Sequence, residues 1–114
     1  MEIRYGHLYT ADLNPRHGTE PGKVRPVLVI QTDLLNQTGH SSTLVCLLTT
    51  QVRAEADILR VHLKKGESGL KEDSDIMIDQ VRAIDNRRLV KNIGKLSPFI
   101  LKQVQERLKI LFEL

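Results

Sequence analysis

Tryptophan is absent from this chain, aromatic residues make up 4% of it, and cysteine occurs once, at position 46. A lone cysteine excludes a disulfide within the chain, and its setting in the apolar run LVCLL favours a buried, inert thiol in a reducing compartment over a nucleophile. That run, Leu44 to Leu48, is also the longest unbroken apolar stretch, too short for a signal-peptide core or a membrane span. The first residues, MEIRYGHLYTADLNPR, carry no apolar h-region either, so the expected location is the cytoplasm, away from membranes. Histidines are few and scattered (His7, His17, His40, His62), and no Cys/His pair has ligand spacing, which argues against a dedicated metal site. GxSxG, GxGxxG and GxxxxGK[ST] are all missing, removing the usual starting points for hydrolase, dinucleotide and P-loop chemistry. Charge is not lopsided: 17 Lys and Arg stand against 14 Asp and Glu, a net +3 that does not by itself argue for nucleic acid.

What is present is enough for one core. With 114 residues and 40% apolar content, positions 1–114 are expected to form a single domain. Alternation in HLYTADL predicts a half-buried strand from His7 to Leu13, and NPRHGTEPGK must then be a loop, long enough to suggest a functional one. Val24 to Gln31 and Thr43 to Thr49 are predicted as strands, with TDLLNQTGHSS as a short helical turn and loop between them. Leu59, Val61 and Leu63 alternate with Arg60 and His62, a strand with one wet face, and KKGESGLKEDSD is turn material. In DIMIDQV, Ile76, Ile78 and Gln80 fall on one face and Met77, Asp79 and Val81 on the other. Asp85 or Asn86 is placed to cap a short helix through Lys91, and the basic cluster Arg82, Arg87, Arg88, Lys91 and Lys95 reads as the solvated face of a helix. Ser97 as cap and Pro98 as first helical residue open an amphipathic helix whose apolar stripe is Leu101, Val104, Leu108 and Leu111. Short strands with a terminal helix predict a mostly β protein: a small antiparallel sheet or partly open barrel with helices to one side.

Arg25 is the residue that resists this account. It stands beside VLVI, a run suited to burial on both faces, and precedes Pro26, which gives no N–H to a ladder and holds Arg25 extended. A guanidinium at the mouth of a core strand, with Thr49 leaving a second strand and Asp79 and Gln80 in a third, suits work on a phosphodiester, where a fixed cation stabilises charge on the equatorial oxygens. The structural alternative is an Arg25–Glu20 pair that pins the loop, with Thr49 bonded to a backbone group.

At these residues the chain becomes familiar. GHLYTADLNP, GTEPGKVRPVLVI, LTTQ, IDQVRAID and the RRL at Arg87 to Leu89 occur in an order that resembles the MazF/PemK family of bacterial toxin endoribonucleases, from about residue 6 to the terminal helix. The resemblance implies an SH3-like small barrel of the CcdB/PemK type with a C-terminal amphipathic helix, a homodimer, and cytoplasmic cleavage of single-stranded RNA with no cofactor or metal. In that family the ribose 2′-hydroxyl attacks the adjacent phosphate, leaving a 2′,3′-cyclic phosphate and a 5′-hydroxyl. A cognate MazE-like antitoxin with a disordered acidic tail is also implied. By position, Arg25 matches the family's principal catalytic arginine and Thr49 its catalytic hydroxyl. Asp79 matches an acid of one branch, which also has an arginine where this chain has Met77. Thr19 stands where that branch carries a histidine, Glu20 is placed to orient Arg25, and Thr19, Glu20, Thr50, Gln80 and Arg82 are candidate RNA contacts. Gyrase-binding toxins of the CcdB type share the fold without the cleavage site, and a relative that only binds RNA or antitoxin is a further alternative; Arg25-Pro26 together with Thr49 favours the nuclease.

Overall fold

A computed structural model describes residues 1–13 and 24–114. Its strands are β1 (His7–Asp12), β2 (Val24–Val29), β3 (Ser42–Thr49), β4 (Arg60–Leu63), β5 (Ser74–Asp85) and β6 (Leu89–Lys95); helices are α1 (Asp33–Asn36), between β2 and β3, and α2 (Pro98–Phe112). They form one six-stranded sheet in the order β4-β5-β3-β2-β1-β6, with every neighbouring pair antiparallel. The inner strands are buried on both faces. Leu8, Leu28, Cys46 and Leu48 face α2 and meet its Val104, while Tyr9, Ala11, Val27, Val29, Val45 and Leu47 face away from it and pack with Ile84 and Leu89. Burying each large apolar side chain is worth about 1.5–3 kcal/mol, more than the whole ~1 kcal/mol span of β-propensity, so two-sided burial explains why these runs do not alternate. β1 is accordingly more deeply buried than its alternation predicts.

The sheet curls until its ends meet. The turn Glu67–Gly69, between β4 and β5, packs on β6 at the opposite edge. Contact is closest at two glycines: a Cβ on Gly69 would lie 1.8 Å from the Ile93 carbonyl oxygen, and one on Gly94 would lie 2.5 Å from that of Ser68. No side chain fits there, and Gly69 also takes φ +80°. Bulges assist the curl. Between the pairs Cys46↔Val81 and Leu48↔Ile76, two steps along β3 are matched by five along β5. The surplus residues leave the ladder with β3 there, and Asp79 and Gln80 are both exposed, so neither needs a buried partner.

Two other expectations are corrected. The basic segment Arg82 to Lys95 is no helix face: β5 continues to Asp85, a 3-10 turn spans Asn86–Arg88, and β6 follows. Asp85 does cap the turn, accepting from the Arg87 amide at 2.8 Å, but Asn86 is used otherwise, accepting from Thr43 Oγ1 at 2.6 Å and donating to the His40 carbonyl at 2.6 Å. In α2, Ser97 Oγ accepts from the Ile100 amide at 3.2 Å, Val104 is buried, and Leu101 and Leu108 pack on the core as expected. Leu111, however, is 39% exposed, and with Ile110 and Phe112 also exposed the apolar stripe is not covered to its end within this chain.

Candidate active site

Pro26 opens the site. β2 pairs with β1 from Val24 to Leu28, with Pro26 opposite Thr10, but pairs with β3 only from Val27 onward. Without an N–H, Pro26 cannot extend the ladder to β3, and the two strands part. The register, Val27↔Leu47, carried two places further sets Arg25 across from Thr49. A cavity of about 600 Å³ lies where the strands part, lined by Thr10, Val24, Arg25 and Pro26 on one side and Leu48, Thr49, Thr50 and Gln51 on the other. Gly69, Leu70, Lys71, Glu72, Ser74 and Ile93 complete it, so the contact that closes the sheet also forms a wall of the cavity.

Arg25 and Thr49 are half-buried, whereas Thr50 and Gln51 are exposed. Thr49 Oγ1 accepts a hydrogen bond from the Gln51 amide at 3.1 Å. One lone pair is thereby occupied, and the hydroxyl proton remains available for donation. Among the described residues, Arg25 makes no ion pair. A guanidinium and a hydroxyl donor at the mouth of an apolar-floored cavity can bind an anion with three or more oxygens and stabilise extra charge on it.

Behind this pair lies a buried carboxylate that sequence reading missed. Asp75 pairs with Thr49 in the ladder, and its side chain is 0% exposed. Its Oδ2 accepts from the Arg53 amide at 2.8 Å and from Arg60 Nη1 at 3.1 Å, and its Oδ1 meets His62 Nδ1 at 2.5 Å. Arg60 Nη1 also donates to the Gln51 carbonyl at 2.8 Å. Burial pushes the Asp75 pKa up, but the hydrogen bonds from Arg53, His62 and Arg60 outweigh it and hold the carboxyl below its ordinary value. The available signal was Arg60 and His62 sharing the wet face of β4, which sets His62 directly opposite Asp75 and Arg60 one diagonal away. Lys71, Glu72 and Ser74 were likewise missed, lying at the end of what read as turn material.

Of the residues singled out in the sequence, Arg25, Thr49 and Thr50 come together in this cavity. Asp79, Gln80 and Arg82 are exposed on β5 and are not among its lining residues. Thr19, Glu20 and the loop that carries them lie outside the described residues, as does the candidate Arg25–Glu20 pair. Arg87 pairs with Asp85 at 2.9 Å, and Arg88 donates to the Asp12 carbonyl at 3.1 Å. Cys46 is buried, and desolvation, followed by the charge of Asp79, pushes its thiol up to about 12, which leaves it protonated and unreactive. Among the described residues no group of three or more His, Cys, Asp or Glu could hold a metal ion, and no helix is long and apolar enough to cross a membrane.

A curled six-stranded antiparallel sheet with one covering helix, and a guanidinium and a hydroxyl at the gap between two strands, define a small β protein with a polar-mouthed cleft. The chain belongs to the PemK-like, MazF-like toxins of type II toxin-antitoxin systems, whose family model matches residues 4–112. It is 36% identical over 110 residues to the endoribonuclease EndoA of Bacillus subtilis, covering 96% of this chain and 94% of that protein. Its fold is shared by MazF in a MazE-MazF structure from Deinococcus radiodurans, with a TM-score of 0.80 at 21% identity and coverage of 100% and 99% of the two chains. The Mycobacterium tuberculosis toxin MazF-mt6 has the same fold, with a TM-score of 0.77 at 23% identity over 95% and 97%.

Proposed function

We propose that this chain, as one domain over residues 1–114, is a toxin endoribonuclease that cuts single-stranded RNA in the cytoplasm with no metal or other cofactor. The observation that carries the reading is the convergence of Arg25 and Thr49, far apart in sequence, on one cavity where β2 and β3 part. The cavity, about 600 Å³, is of a size to take a nucleotide. In the proposed reaction the ribose 2′-oxygen bonds to the adjacent phosphorus while the bond from phosphorus to the 5′-oxygen breaks. The 2′-hydroxyl gives up its proton and the departing 5′-oxygen gains one, leaving a 2′,3′-cyclic phosphate and a 5′-hydroxyl. Charge accumulates on the non-bridging oxygens; Arg25 faces it as a permanent cation, and Thr49 donates its hydroxyl proton to one of them. Thr50 lies within reach of the same strand of RNA, and Asp79, Gln80 and Arg82 would contact it only outside the cleft, on the exposed part of β5. The working form is a homodimer, and its natural restraint is a MazE-like antitoxin; the Deinococcus relative was solved as a MazE-MazF complex.

The test is incubation of the purified protein with a long single-stranded RNA in excess EDTA, beside Arg25→Ala, followed by identification of the new ends. Discrete cuts with 2′,3′-cyclic phosphate ends, reduced at least about 100-fold in the variant, are expected. Intact RNA across varied sequences, or undiminished cutting by Arg25→Ala, would remove the reading.

A further inference from the structure

Asp75 does not line the cleft, yet its contacts run to the segment that presents Thr49. Its Oδ2 holds the Arg53 amide directly. The same oxygen holds Arg60, which reaches past it to the Gln51 carbonyl, and the Gln51 amide in turn bonds Thr49 Oγ1. The turn after β3 is thus gripped at Gln51 and at Arg53 by one fully buried charge. Attraction to its partners is set against the cost of removing Asp75 from water, so the carboxylate, once satisfied by its three donors, both stabilises the fold and fixes the direction of the turn.

We propose that Asp75 is a positioning residue: through Arg60 and the Arg53 amide it sets the path of Thr49–Arg53 and aims the Thr49 hydroxyl at the scissile phosphate. The inference rests on Thr49 acting as proposed above. His62, on the outer side of the carboxylate and 41% exposed, completes the grip without touching the turn. Loss of the carboxylate leaves the cleft and its cation in place but lets the turn relax, and a displacement of about 1 Å at a reacting group costs on the order of 100-fold in rate.

The experiment measures kcat and KM separately on an oligoribonucleotide spanning one mapped cut, for wild type, Asp75→Asn, Arg60→Gln, Thr49→Val and the Asp75→Asn/Thr49→Val double variant. Asp75→Asn and Arg60→Gln should each lower kcat by about 10- to 100-fold with KM changed by less than about three-fold. Because Asp75 acts through Thr49, adding Asp75→Asn to Thr49→Val should lower kcat by less than about two-fold more. Wild-type kcat in a folded Asp75→Asn, or losses that multiply in the double variant, would overturn the proposal. If Asp75→Asn does not fold, Arg60→Gln decides it, since there the carboxylate keeps Arg53 and His62 as partners. Should Thr49→Val itself cut like wild type, the reading of Thr49 falls and this proposal with it; a crippled Thr49→Val beside an unimpaired Asp75→Asn and Arg60→Gln removes this proposal alone.

Discussion

Taking a carboxylate out of water disfavours its charged form, and at Asp75 three donors reverse that effect, holding the native pKa below the ordinary value of 3.8. The native state therefore binds fewer protons than the unfolded chain as the pH falls past about 3.8, and the stability this residue contributes, present above that pH, is lost on further acidification. Denaturant titrations of wild type and Asp75→Asn from pH 7 to pH 3 should show a gap that narrows below about pH 4; a gap of constant size would sink the assignment. Arg25 and Asp75 differ in how readable they were. Arg25 breaks a local rule, a charge and a proline beside a doubly buried run, and such breaks are visible in sequence. Asp75 looks like the ordinary start of a strand. Its burial depends on β4 and on the turn after β3 closing over it, which no neighbour in sequence reveals.

Elements show the same division. Helix α2 was legible because its signals are local: Ser97 and Pro98 at the start, then an apolar stripe. Ser97→Ala removes the oxygen that accepts from the Ile100 amide and should cost about 1 kcal/mol, whereas Ser97→Asp should restore most of it. Thermal or urea unfolding measures both, and an unchanged midpoint in Ser97→Ala would show that the cap does not contribute. β6 was not legible. Its basic residues suit a solvated helix equally well, and it becomes a strand because β1 offers it a pairing edge and the core takes Leu89 and Ile93. The bulge in β5 is similar: DIMIDQV alternates as a regular strand should, but the register with β3 shifts there, and Asp79 and Gln80 are both left exposed.

The whole molecule depends on the contact between Glu67–Gly69 and β6, which brings Lys71, Glu72 and Ile93 to face Arg25 and Thr49. Gly69→Ala places a methyl against the Ile93 carbonyl and Gly94→Ala one against that of Ser68, so each should lower stability by about 2–3 kcal/mol and reduce cleavage as the cavity wall shifts. Gly39→Ala, at φ +76° in open space, should cost only about 1 kcal/mol and is the control. Equal midpoints for all three in urea unfolding would show that the closure carries no strain. By itself the sequence determined the β-rich class, the doubly buried strands, the start of α2 and the anomaly at Arg25, because periodicity, capping and proline geometry act over a few neighbouring residues. Only the tertiary structure decided that Arg25 faces Thr49, that Asp75 grips the turn between them and β4, and that the sheet's edges meet. Those contacts join residues distant in the chain, and register and curl, set by the summed burial of two apolar clusters and by two positions where no Cβ fits, bring them together.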